Sequence, residues 1–254
     1  MSVAAPAIEL VVARFREDLA WTRNVPAAVR VTIYDKGGGE RAARADEPDE
    51  TDEVAETTGA AGGAGFGAIA LPNVGREAHT YLHHLVERRA SLAAVTVFCQ
   101  GRPFDHAWDF HHTLRALASG AERLGADGFR WLGHLVDTDD PRGERLFVRW
   151  SKNEDGRQLR VDALHEALLA SAAPPRLRFF GGAQLVVTAE RARSRAPEFW
   201  ERARALAATF PDAAHCFERI WDRVFGVDGV PAALRGDEPA WLKPVRRGVQ
   251  ATRR

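Results

Sequence analysis

Two short apolar runs near the start of the chain constrain its fold most. The segments "AIELVVARF" (7–15) and "AVRVTIYDKGGG" (28–39) are rich in β-branched residues, and the second has a glycine-rich exit. Such runs are typical of buried strands. The intervening "REDLAWT" (16–22) can begin a helix. The order strand, helix, strand therefore predicts the opening of a parallel α/β sheet.

Further elements follow the same alternation. Helices are expected at 71–90, 105–125, 161–171, 197–209 and 212–225, with strands in "AAVTVFCQG" (93–101) and after Gly181-Gly182. Asp105 and Thr188 are expected to cap the helices that follow them. Residues 128–150 are expected to be irregular. These patterns predict an α/β domain with a Rossmann-like, mostly parallel sheet flanked by helices, ending in a helical C-terminal portion.

Composition divides the chain into three regions. Residues 38–68 combine an acidic run with a Gly/Ala tract and offer almost no apolar side chains to bury, which predicts a mobile insertion. Residues 227–254 are rich in Pro, Gly and Arg and predict an extended tail, with Trp241 as its one strong anchor. The domain is therefore expected to span residues 1–226.

The global charge names no partner. Lysines plus arginines number 35, as do aspartates plus glutamates, so no overall field favours nucleic acid. The start "MSVAAPAIEL" lacks the features of a signal peptide, and no apolar run is long enough to span a bilayer. With only two cysteines, these features predict a cytoplasmic protein without a membrane span. The oligomeric state is left open.

The segment "LPNVGREAHTYLHHLVERRA" (71–90) has the spacing of one amphipathic helix. At 100° per residue, His79 and His83 flank the apolar stripe in line with Arg76, whereas His84 falls on the polar side. We therefore expect His79 and His83 to border a cleft and act on one ligand, and His84 to be solvated. The alternative is that the two flanking histidines are half-exposed and only bond to neighbouring backbone.

The start of this helix favours an anion. Asn73 can cap it, Gly75 permits a turn, and Arg76 adds a fixed charge to the free N–H groups of the first turn. Phosphate is the expected ligand of such a helix end.

A second polar group follows the strand at 93–101. Six of the nine histidines fall between His79 and His112, and Asp105 and His106 come just beyond the strand end. Imidazoles and carboxylates at these spacings suit a metal, although no zinc signature is present.

Other carboxylates occupy comparable positions. Glu17 and Asp18 follow the first strand and Asp35 ends the second, where each can accept hydrogen bonds from a ribose or base. Ordinary helix-start and turn chemistry explains them equally well. Glu218 and Asp222 flank a buried stripe and are candidate general bases, with surface ion pairs to Arg219 or Arg223 as the commoner explanation.

The motifs "ELVVAR", "NVGREAHTYLHH", "VFCQG" and "FFGGAQ" together resemble a domain-of-unknown-function family of fungi and bacteria, over most of residues 8–226. The layout is similar to that of GT-A glycosyltransferases. That resemblance implies a nucleotide-sugar donor, an acceptor and a divalent cation, Mn²⁺ or Mg²⁺. Cys99-Gln100-Gly101 stands where GT-A enzymes have their metal-binding Asp-x-Asp. The resemblance therefore implies that the diphosphate charge is met in one of two ways: by Arg76 and the helix start, helped by His79, His83 or His106, or by a displaced metal bound to Asp105 and His106.

The resemblance also assigns roles. Glu218 would be the base, and His79 and His83 would assist at the leaving diphosphate. The expected donor-side residues are Arg14, Glu17, Asp18, Asp35, Asn73, Gly75, Arg76 and Gln100, and Gln184 with Gly182 and Ala183 would form an acceptor-side wall.

The leading hypothesis is a glycosyltransferase-like enzyme in polysaccharide or glycoconjugate synthesis. A metal-dependent hydrolase using the His/Asp group and a non-catalytic ligand-binding protein remain the alternatives.

Overall fold

The computed structural model describes residues 7–37, 67–150, 152–236 and 238–242. Within them a six-stranded sheet has the order β3-β2-β1-β4-β8-β5, and a smaller sheet has the order β7-β6-β9. The strands are β1 (Ile8–Arg14), β2 (Val29–Asp35), β3 (Ile69–Ala70), β4 (Val95–Gln100), β5 (Phe129–Trp131), β6 (Leu135–Asp139), β7 (Leu177–Phe180), β8 (Leu185–Thr188) and β9 (Ala240–Trp241).

The larger sheet is mostly parallel, as the sequence predicts. β1 pairs in parallel with β2 on one side and with β4 on the other, and β3 continues the parallel order beyond β2. Only β8 runs against its neighbours, β4 and β5.

Helices cover both faces of this sheet. The α-helices are α1 (Arg76–Glu87), α2 (Phe110–Ser119), α3 (Val161–Leu169), α4 (Ala189–Arg193), α5 (Pro197–Thr209), α6 (Ala213–Glu218) and α7 (Trp221–Val224). Val11 of β1 belongs to one apolar cluster with residues of α1 and α5–α7, whereas Leu10 and Val12 belong to a second cluster with Phe110 and Leu114 of α2. Alternate side chains of one strand thus enter two cores, which is why β1 is apolar on both faces.

Several predicted elements are confirmed and others are wrong. The strands at β1, β2, β4 and β8 and the helices at α1, α3 and α5 lie where expected, and the Thr188 hydroxyl accepts the Arg191 N–H as a cap. Residues 128–150 are not all irregular, because β5 and β6 lie within them and are too short to give a clear alternation. The helix expected at 212–225 is divided into α6 and α7.

Two expected anchors differ from the prediction. Asp105 does not cap α2, because it lies in a 3-10 turn (Pro103–Asp105) and α2 begins only after Asp109. Trp241 is 59% exposed, so its side chain does not anchor the tail. Instead its backbone pairs with Leu135 of β6.

The helix α7 ends at Val224, and the described residues beyond Gly226 contain a 3-10 turn (Ala232–Leu234) and β9, so the described chain does not end in a helix. Most of the predicted insertion, residues 38–66, and the tail from residue 243 lie outside the described residues. The domain boundary at residue 226 remains a prediction. No helix in the described ranges is long and apolar enough to cross a bilayer.

Candidate functional site

A cavity lies where the strand order of the large sheet reverses direction. From β1 the chain proceeds to β2 and β3 on one side, and β4 then returns to the other side of β1. Ligands of open α/β sheets bind outside the carboxyl ends of the strands at such a switch point. We call this space, of about 310 Å³, the first cavity. It is lined by Ala13, Arg14, Phe15, Glu17, Lys36, Asn73, Arg76, Glu77 and Gln100.

The carboxylates that follow or end the strands bind neighbouring side chains and backbone N–H groups at the first cavity. Asp35 pairs with Arg14 at 2.6 Å and accepts the Gly37 N–H, while Glu17 accepts the Phe15 N–H at 2.7 Å. Asp18 accepts the N–H of Ala20 and does not line the cavity. Of the predicted donor-side acids, therefore, Glu17 lines the cavity and Asp35 orients Arg14.

Lys36 is a site residue that the sequence reasoning missed. Its buried Nζ donates to the carbonyl oxygens of Val74 at 2.6 Å and Arg76 at 2.5 Å, and lies 3.5 Å from Nδ1 of His79. Burial lowers the pKa of Lys36 to about 8, and the charge of Glu77 opposes that shift. The ammonium therefore ties the end of β2 to the start of α1. A lysine directly after a strand, one of only three in the chain, was the available signal.

The start of α1 has left-handed backbone. Gly75 (φ 57°) is its N-cap, Arg76 has φ 47°, and no side chain caps the helix. The cap predicted for Asn73 is therefore wrong, although Asn73 does line the first cavity. A Cβ on Gly75 would lie 2.0 Å from the carbonyl oxygen of Ala207, so glycine is needed for both φ and space. The uncapped first-turn amides leave a helix end that favours an anion.

A larger space, the second cavity, adjoins the first. Its volume is about 770 Å³, and it shares Arg76, Glu77 and Gln100 with the first cavity. Its other lining residues are His106, Leu135, Asp137, Leu146, Phe147, Trp150, Lys152, Phe179, Gly181, Gly182, His215, Glu218 and Arg219. Two molecules, one bound in each cavity, would therefore both contact the wall formed by Arg76, Glu77 and Gln100.

Aromatic rings form one side of the second cavity. The ring centroids of Phe147 and Trp150 lie 6.3 Å apart, and His215 lies 5.0 Å and 5.2 Å from them. Nε2 of His215 is 3.1 Å from Nη1 of Arg76, which connects this side to α1. Burial lowers the pKa of His215 to about 4, with Glu218 opposing that shift and Arg76 adding to it.

A buried ion pair supports the same cavity. Oδ2 of Asp139 accepts from Nε (2.9 Å) and Nη2 (2.7 Å) of Arg219, whose guanidinium packs 4.9 Å from the Phe179 ring centroid. Glu218 accepts the Gly182 N–H at 2.6 Å and lies 3.6 Å from Arg219. The expected ion pair between Glu218 and Arg219 is therefore present, but it does not lie at the surface, because Arg219 is buried and also binds Asp139.

Asp222 is likewise not a surface ion-pair partner. It is buried, and its carboxylate accepts the N–H groups of Arg223 and Gly229. Burial raises its pKa to about 6. It lines neither of the two cavities.

Glu77 is the second site residue that the sequence reasoning missed. Its side chain is 9% exposed, and its Oε2 is 3.8 Å from Nε of Arg76. Burial raises the pKa of Glu77, opposed by Arg76 and reinforced by Glu218. A carboxyl group with raised pKa at the wall between two cavities is a candidate proton acceptor. Its position in the first turn of α1 was the only sequence signal.

The two flanking histidines lie behind the cavities and line neither of them. His79 is buried beside Lys36, and burial, with a further contribution from Lys36, lowers its pKa to about 4. His83 is half-buried, with its ring edge-on to Tyr34 at 5.4 Å, and burial lowers its pKa.

The prediction that His84 is solvated is wrong. It is fully buried, with Nδ1 3.1 Å from the Tyr34 hydroxyl and Nε2 3.7 Å from the buried Glu9 carboxylate. The helical projection missed this because α1 packs against β1, whose Glu9 puts a carboxylate beneath the polar side of the helix.

The predicted metal ligands do not converge. His106 lines the second cavity with its ring against Gly182, whereas Asp105 is 53% exposed and pairs with Arg102 at 3.6 Å. Within the described ranges no three His, Cys, Asp or Glu side chains are grouped to hold a metal ion.

Gln184 and Cys99, two residues of the sequence motifs, are buried and line neither cavity. Gln184 is buried and donates to the Pro103 carbonyl at 2.8 Å, so it lies behind the wall that Gly182 forms. Cys99 is also buried, and burial raises its pKa well above the ordinary value, which makes it a poor nucleophile.

Comparison with known proteins gives a family. No curated protein and no solved structure matches the chain significantly. A family model described as "Protein of unknown function (DUF3431)" matches residues 67–234, which is well over half of the chain and includes the wall shared by the two cavities. The chain therefore belongs to this family of proteins of unknown function.

Proposed function

We propose that the chain is a glycosyltransferase-like enzyme that moves a sugar from a nucleoside diphosphate to a hydroxyl acceptor. The proposal rests on one observation: a cavity with charged lining residues lies at the switch point of a mostly parallel sheet and shares three of those residues with a second, larger cavity. A two-substrate transfer needs two adjoining sites. Open α/β sheets bind nucleotides at the switch point, so the position of the first cavity supports a nucleotide donor. A Rossmann-like, GT-A-like fold is part of the proposal.

Cationic groups meet the donor diphosphate in the first cavity. Arg14 and Arg76 line it, and the side chain of Arg76 is 57% exposed beside the uncapped start of α1. Lys36 adds positive charge, although its hydrogen bonds are directed to the carbonyl oxygens of Val74 and Arg76. These charges stabilise the developing diphosphate leaving group.

The lining residues do not fit a divalent cation bound in the usual GT-A manner. Gln100 ends β4 and Gly101 follows it where that site needs carboxylates, and Asp105 pairs with Arg102 and does not line the cavity. We therefore propose that Arg76, Arg14 and the first-turn amides of α1 neutralise the charge of the leaving group.

Glu77 takes the proton in this proposal. The acceptor hydroxyl oxygen bonds to the anomeric carbon, the bond from that carbon to the phosphate oxygen breaks, and the hydroxyl proton passes to the Glu77 carboxylate. Glu77 lies at the wall between the cavities, and burial raises its pKa, which makes it a candidate general base. Glu218 lines only the second cavity and already accepts the Gly182 N–H.

The proposal is tested with a thermal-shift panel of uridine, guanosine, cytidine, adenosine and thymidine diphosphates and their sugar conjugates, with and without Mn²⁺. At a ligand concentration of 100 times Kd we expect about 2.7 kcal/mol of stabilisation, or a Tm rise of roughly 5–10 °C. Arg76→Ala should weaken binding roughly ten- to a hundredfold, the value of a charge-assisted hydrogen bond. Arg123→Ala, at an exposed arginine that lines neither cavity, is the matched control and should bind as wild type does.

If no nucleotide raises the wild-type Tm under any condition, the proposal is wrong. If nucleotides raise the Tm of Arg76→Ala as much as that of wild type, Arg76 does not bind the phosphates, but the proposed function still stands. Binding without turnover of any sugar nucleotide identifies a binding protein instead of an enzyme.

A further inference from the structure

The second cavity has the size and chemistry of a binding site in its own right. Its volume of about 770 Å³ falls within the range of about 300–1,000 Å³ that small-molecule sites occupy. One side is aromatic, and the remainder combines charged and polar side chains with Leu135, Leu146 and Phe179, so its occupant needs both an apolar face and hydrogen-bonding groups.

Trp150 supplies an accessible aromatic surface. It is 37% exposed at the edge of the cavity, and its ring packs against those of Phe147 and His215. Nζ of Lys152 lies 5.8 Å from the Trp150 ring centroid. A large indole left partly in water beside a cavity offers contact area at low conformational cost, since its neighbours already restrain it.

Polar groups surround this aromatic surface. Asp137, Glu218 and His106 line the cavity from β6, α6 and the turn after β4. Carboxylates accept hydrogen bonds from hydroxyl groups, and an imidazole can either donate or accept. Arg219 is fixed against Asp139 and contributes charge from below the surface.

We infer that the second cavity is the acceptor site and that it binds a saccharide, an inference that rests on the proposed function. A pyranose ring has a C–H face that packs on an indole and a rim of hydroxyl groups that bonds to carboxylates and imidazole. A saccharide lying on Trp150 has its far end at the wall formed by Arg76, Glu77 and Gln100, where the donor sugar is presented. Asp137 and Trp150 are thereby assigned to acceptor binding.

The inference is tested by saturation-transfer NMR on the full chain. The probes are the methyl α- and β-glycosides of glucose, galactose, mannose and N-acetylglucosamine, together with maltose and cellobiose. Each is measured with and without the nucleoside diphosphate that gives the largest thermal shift. At least one saccharide should show binding, and Trp150→Ala should weaken that binding by about tenfold or more because the stacking surface is lost.

A matched control keeps this result specific. Trp241→Ala removes a tryptophan that is 59% exposed and lines neither cavity, so its saccharide binding should equal that of wild type. Nucleotide thermal shifts should be unchanged in both variants. Absence of saccharide binding in wild type, or equal binding in Trp150→Ala, overturns the inference, even when nucleotides bind. Saccharide binding in a chain that no nucleotide stabilises leaves the saccharide site in place but refutes the proposed transferase and the acceptor role.

Discussion

The Asp139–Arg219 ion pair provides a quantitative test of how the second cavity is built. Both side chains are almost completely buried, and two nitrogens of Arg219 donate to one Asp139 oxygen. The other oxygen accepts the N–H groups of Asp140 and Arg145 and holds the loop after β6. Asp139→Asn preserves the shape but removes the carboxylate charge that two Arg219 nitrogens contact, so that the more distant Glu218, at 3.6 Å, remains as its counter-charge.

Breaking a buried pair by removing one partner costs about 3–5 kcal/mol. We therefore expect Asp139→Asn to lower the free energy of unfolding by about that amount, measured by urea denaturation and tryptophan fluorescence. Glu201→Gln breaks the 2.6 Å contact with Arg204 on the exposed side of α5 and should cost about 1 kcal/mol or less.

The double variant Asp139→Asn/Arg219→Met separates charge from packing. It removes both charges and should therefore have a higher free energy of unfolding than Asp139→Asn alone, because a buried pair can be replaced by apolar groups at little cost. A loss in Asp139→Asn no larger than that in Glu201→Gln would refute the reasoning, since the pair would then behave as if it were solvated.

Two further predictions concern stability. Gly75→Ala should lower Tm by more than Gly120→Ala, because both glycines have positive φ but only a Cβ at Gly75 meets a neighbour, the Ala207 carbonyl oxygen at 2.0 Å. The backbone strain common to both is about 1–2 kcal/mol, so equal shifts in differential scanning calorimetry would show that the contact between α1 and α5 is not tight. Acidification from about pH 6.5 to 4 should also lower Tm, because burial lowers the pKa values of His79, His84 and His215 to about 4. The unfolded chain, with histidine pKa near 6.5, then binds more protons than the folded chain. Asp222, with its pKa raised to about 6, and Glu77, whose pKa burial also raises, act in the opposite direction. A Tm that rises on acidification from pH 6.5 to 6 would contradict this assignment.

The sequence predicts well those helices and strands whose apolar residues form a long run or recur at a regular spacing. β1, β2 and β4 are apolar runs with polar exits, and α1 and α5 extend over three or more turns, so local pattern suffices. β5, β6 and β7 have three to five residues each, and their pairing with distant strands decides their structure. Strand pairing over such sequence distances leaves no local period to detect.

The candidate site divides in the same way. Arg76 is expected from its place at the start of a helix, and Arg14 and Gln100 from the family resemblance; all three line the first cavity. Lys36 and Glu77 were missed because their shifted pKa values result from burial, and their burial depends on how α1 packs on the sheet. The opposite error occurred at His84, where a polar position on the helix faces the buried carboxylate of Glu9.

The position of β4 in the sheet also determines where the protein can be shortened. The family match begins at residue 67, after β1 and β2, yet β4 hydrogen-bonds to β1 along its length. A chain cut to residues 67–234 would lose Arg14 and Lys36 and would expose an unpaired edge of β4. Open edges of this kind pair with other chains and promote aggregation. Expression of the protein for any binding assay should therefore begin before Ile8, because the matched region is a smaller unit than the one that folds.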